Sequence, residues 1–228
     1  MINKVNCFGN DIYLPACDDF IQSSIKNTGG WEKKIHESYS SFLNKDSVVV
    51  EVGAHVGTHT VAMAKQAMHV YTFEVQRLLH QLQCFNVINN QCFNVSTFFE
   101  GVHNYNSTKL VEELDYNKQI FNTGALTLDG LRRPWGYPLL VMKLDDKLNF
   151  LKKLTLLKID AEGVELDIIK GGLKIIQRFK PKIMVEFDGP ADKKEMQELL
   201  PEYEWEDIID NYHGIDNKMM LGTYEPSA

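Results

Sequence analysis

Residues 47–57 read Ser-Val-Val-Val-Glu-Val-Gly-Ala-His-Val-Gly, and this stretch decides the fold. Val48-Val49-Val50 is an unbroken β-branched run, the composition of a strand buried on both faces. The run ends at Gly53, and Thr58 to Met68 follows with helical character. A strand from Ser47 to Val52 covers about 20 Å. The helix covers about 16 Å at a rise of about 1.5 Å per residue, so it can return along the strand it leaves. A buried strand, a glycine turn and a returning helix make the first half of a parallel crossover.

Working outward, the alternation repeats. His69 to Glu74 predicts a second strand, and Val95 to Phe99 a third. Between them Gln76 to Asn90 reads as a helix, with Leu78, Leu82 and Phe85 at helical spacing and Asn89-Asn90 as a stop signal. Asn104 to Asn149 is less regular. It holds turn-like Asn122-Thr123-Gly124 and Pro134-Trp135-Gly136, with one short strand expected at Leu139 to Leu144. A long irregular stretch in a compact domain is often a functional loop. Regularity returns with a strand from Leu154 to Asp160, then a helical face of Val164, Ile168, Leu173 and Ile176 interrupted at Gly171-Gly172. A strand from Lys182 to Phe187, a short helix from Lys193 to Leu200 and an antiparallel hairpin of Trp205–Asp210 with Lys218–Tyr224 complete the chain. Upstream, Ile21 to Asn27 and Trp31 to Leu43 read as helices. Residues 1–46 are therefore expected to form an N-terminal helical segment or lid, ahead of a main domain at 47–228, in one compact unit. Strands alternating with helices predict a doubly wound α/β architecture.

Composition narrows the class. The 228 residues are 44% hydrophobic and 24% charged, as in a soluble single domain with a substantial core. No apolar run approaches the roughly 20 residues needed to cross a bilayer, and Met1 to Asp11 lacks the pattern of a secretory signal. Cys7, Cys17, Cys84 and Cys92 form neither a CxxC pair nor a zinc spacing, so reduced thiols and a cytoplasmic location are expected. The net charge of −7 argues against nucleic acid as partner, and Arg132-Arg133 reads as a solvated loop.

The chemistry concentrates at strand ends. Glu51-Val52-Gly53-Ala54-His55-Val56-Gly57 forms a glycine turn at the carboxyl end of the first strand, where backbone can approach a ligand closely. Its pattern, acidic-x-Gly-x-x-x-Gly, is not the dinucleotide fingerprint GxGxxG, because His55 stands where the second glycine belongs. The acidic residue suits a cationic ligand, such as a sulfonium carrying an amino group, better than a pyrophosphate. Glu51, Gly53, Ala54, His55, Gly57 and Thr58 are the candidate contacts, joined by Glu74 for a ribose diol and its neighbour Val75. Asp160 and Glu186 end two further strands on the same edge. Glu162 and Glu165 follow at the start of a helix, where carboxylates also act as caps. His59 reads as a packed or solvent-facing helix residue, His103 as a minor candidate base, and Trp31-Glu32 as packing or a cover over the site. Asp160 and Glu186 with a nearby histidine could ligate a divalent metal, but no dense Asp/His cluster demands one, and none is expected.

These residues resemble the FkbM-type methyltransferases, within the S-adenosylmethionine enzymes. The resemblance is carried by VVVEVGAHVGTHT (48–60), VYTFE (70–74), LKIDAEGVELDIIKGG (157–172) and PKIMVEF (181–187), with Asn122–Leu126 and Leu144-Asp145-Asp146 in support. Its most specific part is Asp160-x-Glu162-Gly163-x-Glu165 followed by Gly171, and it spans roughly residues 30–224. It implies a Rossmann-like class I methyltransferase fold: seven strands, mostly parallel, with the last antiparallel. It also implies methyl transfer from S-adenosylmethionine, with S-adenosylhomocysteine as product, to a hydroxyl of a sugar, glycan or polyketide-type ring. Residues 1–29 carry none of the resemblance, and acceptor specificity is expected there and in Asn104–Asn149.

An alcohol is a poor nucleophile while protonated, so a base at the strand edge is expected. Asp160 is the candidate, as base or as the residue that orients it, with Glu186 or Glu162 assisting. Two other classes compete: a nicotinamide-dependent oxidoreductase, disfavoured by the missing glycine and by Glu51, and a non-catalytic module that binds S-adenosylmethionine. A nucleic-acid methyltransferase is disfavoured by the charge. The expected partner is a small molecule or glycan with a free hydroxyl, acted on by a monomer or homodimer, with no nucleic acid and no membrane involved.

Overall fold

A computed structural model describes residues 2–17, 19–112, 115–116, 136–187, 190–212 and 215–225. In chain order the elements are β1 (Ile2–Cys7), β2 (Asn10–Pro15), α1 (Asp19–Thr28), α2 (Lys33–Ser40), β3 (Val48–Val52), α3 (Thr58–Ala64), β4 (His69–Phe73), α4 (Arg77–Asn89) and β5 (Val95–Phe98). There follow β6 (Gly101–Val102), β7 (Ser107–Glu112), β8 (Gly136–Met142), α5 (Leu144–Lys147), β9 (Leu156–Ile159) and α6 (Glu165–Gly171). The chain closes with α7 (Leu173–Phe179), β10 (Lys182–Glu186), α8 (Pro190–Leu199), β11 (Tyr203–Tyr212) and β12 (Ile215–Tyr224).

The valine run forms the middle of the molecule. All five residues of β3 are buried, between β4 on one side and β9 on the other, both parallel to it. The main sheet has seven strands in the order β11-β12-β10-β9-β3-β4-β5. Strand β12 runs antiparallel to both β10 and β11; the other pairs are parallel. The chain winds from β3 outward to β5, then restarts at β9 and winds the other way. The order thus reverses between β3 and β9, and in open α/β sheets ligands bind outside the carboxyl ends of the strands at such a point.

Strand side chains alternate between two layers of core. Val49, Val70, Leu156, Met184 and Leu221 face α3, α4 and the N-terminal elements. Val50, Val52, Phe73, Leu157, Ile159, Ile183 and Val185 face α5, α6, α7 and α8. Glu51 and Lys158 are paired across β3 and β9 and both are buried, so an ionic row interrupts the first of these apolar layers.

Three regions differ from expectation. The N-terminal segment is not all helical: α1 and α2 are preceded by a β1–β2 hairpin turned at Phe8-Gly9. Phe8 takes a left-handed φ of 52°, a turn position where a phenylalanine gives no sequence signal, and its ring stacks on His36 at 3.9 Å. Val5, Cys7, Ile12 and Leu14 from this hairpin enter the same core as Val49 and Val61. Among the described residues the irregular stretch contributes two strands, β7 and β8, rather than one, and with β6 just ahead of it they form a separate sheet ordered β6-β8-β7. Here β8 starts at Gly136 and ends at Met142, earlier than the expected Leu139–Leu144; Pro138 inside it masks the strand pattern. The terminal strands are also longer than expected, Tyr212 pairing with Ile215, because the polar Asn211, Asp216 and Asn217 read as loop. Asn122–Leu126, Arg132-Arg133 and Pro134-Trp135 lie outside the described residues. Gly171-Gly172 does separate α6 from α7. A Cβ on Gly171 would lie 2.2 Å from the carbonyl oxygen of His103, so close backbone approach requires the glycine. Among the described residues no helix is long and apolar enough to cross a membrane.

Candidate active site

The turn after β3 and the loop after β9 meet at the switch point. Gly53 has φ +81°, and a Cβ there would lie 1.6 Å from the carbonyl oxygen of Asp160. The Asp160 amide donates to the Val52 carbonyl at 3.0 Å, which locks the two chain segments edge to edge. The Gly53 and Ala54 amides both donate to the Phe73 carbonyl, at 3.0 and 3.1 Å. His55 follows with φ 52°, and Gly57, at φ +85°, caps α3 just before the buried Thr58. The turn thus presents backbone to the sheet edge, as a close-approaching ligand requires.

Glu74, at the end of β4, is tied to this turn. Its Oε2 accepts the His55 amide at 2.7 Å and its Oε1 accepts the Gln76 amide at 2.7 Å. Burial pushes its carboxyl up to about 7, against the opposing effect of these hydrogen bonds. Each oxygen keeps a second lone pair, so a diol can still donate to a carboxylate held in one orientation. The next residue, Val75, is fixed from the insertion sheet: the Tyr137 hydroxyl donates to its carbonyl at 2.5 Å and accepts the Arg77 amide at 3.2 Å. The Arg77 guanidinium covers the Tyr137 ring at 4.2 Å.

The carboxylates gather on the β9–β10 side. Ligand oxygens of Asp160, Glu162 and Glu186 all lie within 4.8 Å of one another. Glu162 takes φ 56°, beside Gly163 at φ +97°. This loop is held by Glu165, whose Oε1 accepts the Ala161 amide at 2.9 Å and the Gly163 amide at 3.1 Å. Glu165 therefore organises the loop before α6 from within the protein. Burial drives the Glu186 carboxyl far above the ordinary carboxylate value, with the charges of Asp160 and Glu162 adding to the rise. At Asp160 burial also favours the neutral form, but the Lys158 ammonium, 3.0 Å from Oδ2, outweighs it and holds the group below its ordinary value. The two groups are thus pushed in opposite directions, Glu186 toward its neutral form by burial and neighbouring carboxylates and Asp160 toward its charged form by the Lys158 ammonium.

Three carboxylates at this spacing can also hold a hard cation. The nearby histidine is committed elsewhere: His59 Nε2 lies 2.8 Å from Glu32 Oε2 and Nδ1 lies 3.1 Å from the Tyr39 hydroxyl, all buried.

Beneath the turn lies a buried polar layer. Glu51 is 1% exposed and accepts the Thr60 hydroxyl at 2.5 Å; burial pushes it up to about 7, with Lys158 and Thr60 opposing. Gln83 donates to Thr60 Oγ1 at 3.3 Å and to Thr72 Oγ1 at 2.8 Å. Glu51 is thus turned into the protein beneath Gly53, one layer below the ligand edge. His103 reaches toward Asp167 of α6, at 3.6 Å, and Trp31 packs edge-on against Phe20 at 5.7 Å. Lys158 was not among the candidates; its signal was a lysine in an otherwise apolar strand, Leu156-Leu157-Lys158-Ile159.

With this geometry in hand, comparison with known proteins places the chain. Residues 51–213 match the methyltransferase FkbM domain. Among solved structures, a methyltransferase FkbM from Methylobacillus flagellatus is 17% identical, with a TM-score of 0.57 over 80% of this chain and 45% of that one. An rRNA methylase from Streptococcus thermophilus is 11% identical, with a TM-score of 0.52 over 84% of this chain and 95% of that one. TYW2 of M. jannaschii, solved in complex with AdoMet, is 13% identical, with a TM-score of 0.51 over 98% and 86%. These likenesses establish the class I methyltransferase fold. No curated protein matches the chain in sequence. The domain match covers most of the chain and removes the nicotinamide-dependent alternative: the chain belongs to the FkbM methyltransferase family, an S-adenosylmethionine-dependent class.

Proposed function

We propose that this chain methylates a hydroxyl oxygen of a sugar or glycan, with Asp160 as the general base. The observation that carries the reading is the carboxylate cluster at the switch point: Asp160, in backbone contact with the Gly53 turn and 3.0 Å from the Lys158 ammonium, has a carboxylate oxygen within 4.8 Å of those of Glu186 and Glu162. When bound, S-adenosylmethionine supplies a methyl group on a sulfonium, and loss of that methyl leaves the thioether of S-adenosylhomocysteine. The backbone of Gly53, Ala54, His55, Gly57 and Thr58 would hold the amino-acid end of the cofactor, with Glu51 supporting the turn from below. Glu74 would accept the ribose hydroxyls, beside Val75. Asp160 takes the proton of the acceptor hydroxyl as that oxygen gains the methyl group. Glu186 and Glu162 keep the acceptor side acidic and aligned, and orientation supplies much of the rate in such a displacement. The net charge of −7 favours a neutral acceptor over an RNA backbone, although two structural neighbours are described as rRNA methylases.

Transfer of labelled methyl from S-adenosylmethionine to a panel of glycosides with free hydroxyls tests this. Asp160→Asn is expected to lower turnover by about 10²–10⁴-fold, while calorimetry with S-adenosylhomocysteine shows near-normal binding. Near-normal turnover of Asp160→Asn removes the base assignment. Binding of S-adenosylhomocysteine without transfer to any acceptor would favour the non-catalytic module.

A further inference from the structure

The chain leaves β4 through Glu74, Val75 and Gln76 before α4 begins at Arg77. The first amides of a helix have no intrahelical acceptor, and Gln76, at the N-cap, makes no side-chain bond to them. The acceptor comes from another sheet. The hydroxyl of Tyr137, on β8, sits between two successive peptide groups: it donates to the Val75 carbonyl at 2.5 Å and accepts the Arg77 amide at 3.2 Å. These are the two peptides that flank Gln76. The second is also held at its other end, where the Gln76 carbonyl accepts the His80 amide at 2.9 Å.

Peptide geometry carries this grip to Glu74. The Val75 carbonyl and the Gln76 amide are opposite ends of one planar unit. Tyr137 holds the carbonyl end, and the amide end donates to Glu74 Oε1 at 2.7 Å. A tilt of that plane draws the amide off Oε1 and lets the carboxylate turn about its bond to the His55 amide, 2.7 Å from Oε2. Tyr137 does not tilt with it. Its side chain is buried on the face of β8 that also carries Leu139 and Val141. Its ring lies 5.5 Å from that of Phe99 and under the Arg77 guanidinium at 4.2 Å.

We infer that Tyr137 is a positioning residue for the cofactor: acting through the Val75–Gln76 peptide, its hydroxyl aims the Glu74 carboxylate at the ribose. This rests on the reading of Glu74 as the ribose contact. The β6-β8-β7 sheet thereby takes part in cofactor binding, from a stretch expected to serve the acceptor.

Calorimetry with S-adenosylhomocysteine and with its 2′,3′-dideoxyribose analogue separates aiming from packing. Tyr137→Phe keeps the ring and removes only the hydroxyl. The wild type is expected to prefer S-adenosylhomocysteine. Tyr137→Phe is expected to narrow that preference roughly tenfold, while its affinity for the analogue stays within about twofold of the wild type's. Equal weakening of both ligands, or no weakening of either, overturns the inference, since a packing role does not distinguish the two sugars. Should Tyr137→Phe fail to fold, hydrogen exchange of the wild type decides. An Arg77 amide bonded to Tyr137 exchanges slowly, and one that exchanges as fast as free backbone overturns the inference. Failure of the ribose reading is separate: it shows as Glu74→Gln binding S-adenosylhomocysteine as tightly as the wild type, and it takes the inference with it.

Discussion

At Gly53 a single hydrogen atom separates a working turn from a blocked one. A Cβ there would lie 1.6 Å from the Asp160 carbonyl, on a backbone at φ +81°. Gly53→Ala is therefore expected to cost about 2–4 kcal/mol of stability, from left-handed strain plus overpacking. Gly57→Ala should cost less, because its Cβ would meet only the flexible Gln83 side chain, at 3.1 Å. Urea unfolding of the two variants measures the difference, and equal costs would contradict the contact. Glu74 leads to a pH dependence of defined sign. Its folded value of about 7 lies above the ordinary 4.5, so the group's contribution to apo-protein stability is complete below 4.5 and is lost as pH rises through about 7. Ribose hydroxyls donate to the ionised form, so affinity for S-adenosylhomocysteine should strengthen as pH rises through about 7. Calorimetry across that range checks this, and Glu74→Gln should bind weakly with no such dependence.

At the scale of elements, the β1–β2 hairpin shares a core with the rest of the chain, and one buried amide ties it to both α4 and the glycine turn. Asn86 of α4 accepts the Tyr13 amide at 2.8 Å and donates to the carbonyls of Tyr13 and Val56, each at 2.8 Å. Its side chain thus imitates a neighbouring strand for β2, and its third bond reaches the residue before Gly57. Asn86→Ala leaves these buried groups unpaired and is expected to cost about 2–4 kcal/mol. Hydrogen exchange should show the loss first in residues 2–15, and exchange rising uniformly across the chain would argue against a local tie. The hairpin was illegible in the sequence because its turn is Phe8-Gly9, and phenylalanine is not a left-handed residue by preference. By contrast, β3, β4 and β10 were legible, since buried central strands announce themselves as apolar runs rich in β-branched residues.

At the scale of the whole molecule, cofactor binding and folding are linked. At a concentration of S-adenosylhomocysteine about 100 times its Kd, the folded state gains about 2.7 kcal/mol. For a chain of this size that raises Tm by roughly 5–10 °C, and Gly53→Ala and Glu74→Ala should each remove most of the rise. A wild type with no shift at saturating ligand would contradict the cofactor site. The sequence by itself determined the sheet, the glycine turn and the strand-end acids, because each is a local pattern: a run of valines, a spacing of glycines, a carboxylate closing an apolar stretch. Glu74, Asp160 and Glu186 could be placed on one edge from strand direction alone. Only the tertiary structure decided what state those acids are in. Lys158 lies two residues from Asp160 in sequence, yet its effect depends on burial and on the company of Glu51 and Glu32 from distant segments. The upward shift of Glu186 and the downward shift of Asp160 follow from distances across β9 and β10 and from the exclusion of water, neither of which a linear pattern encodes.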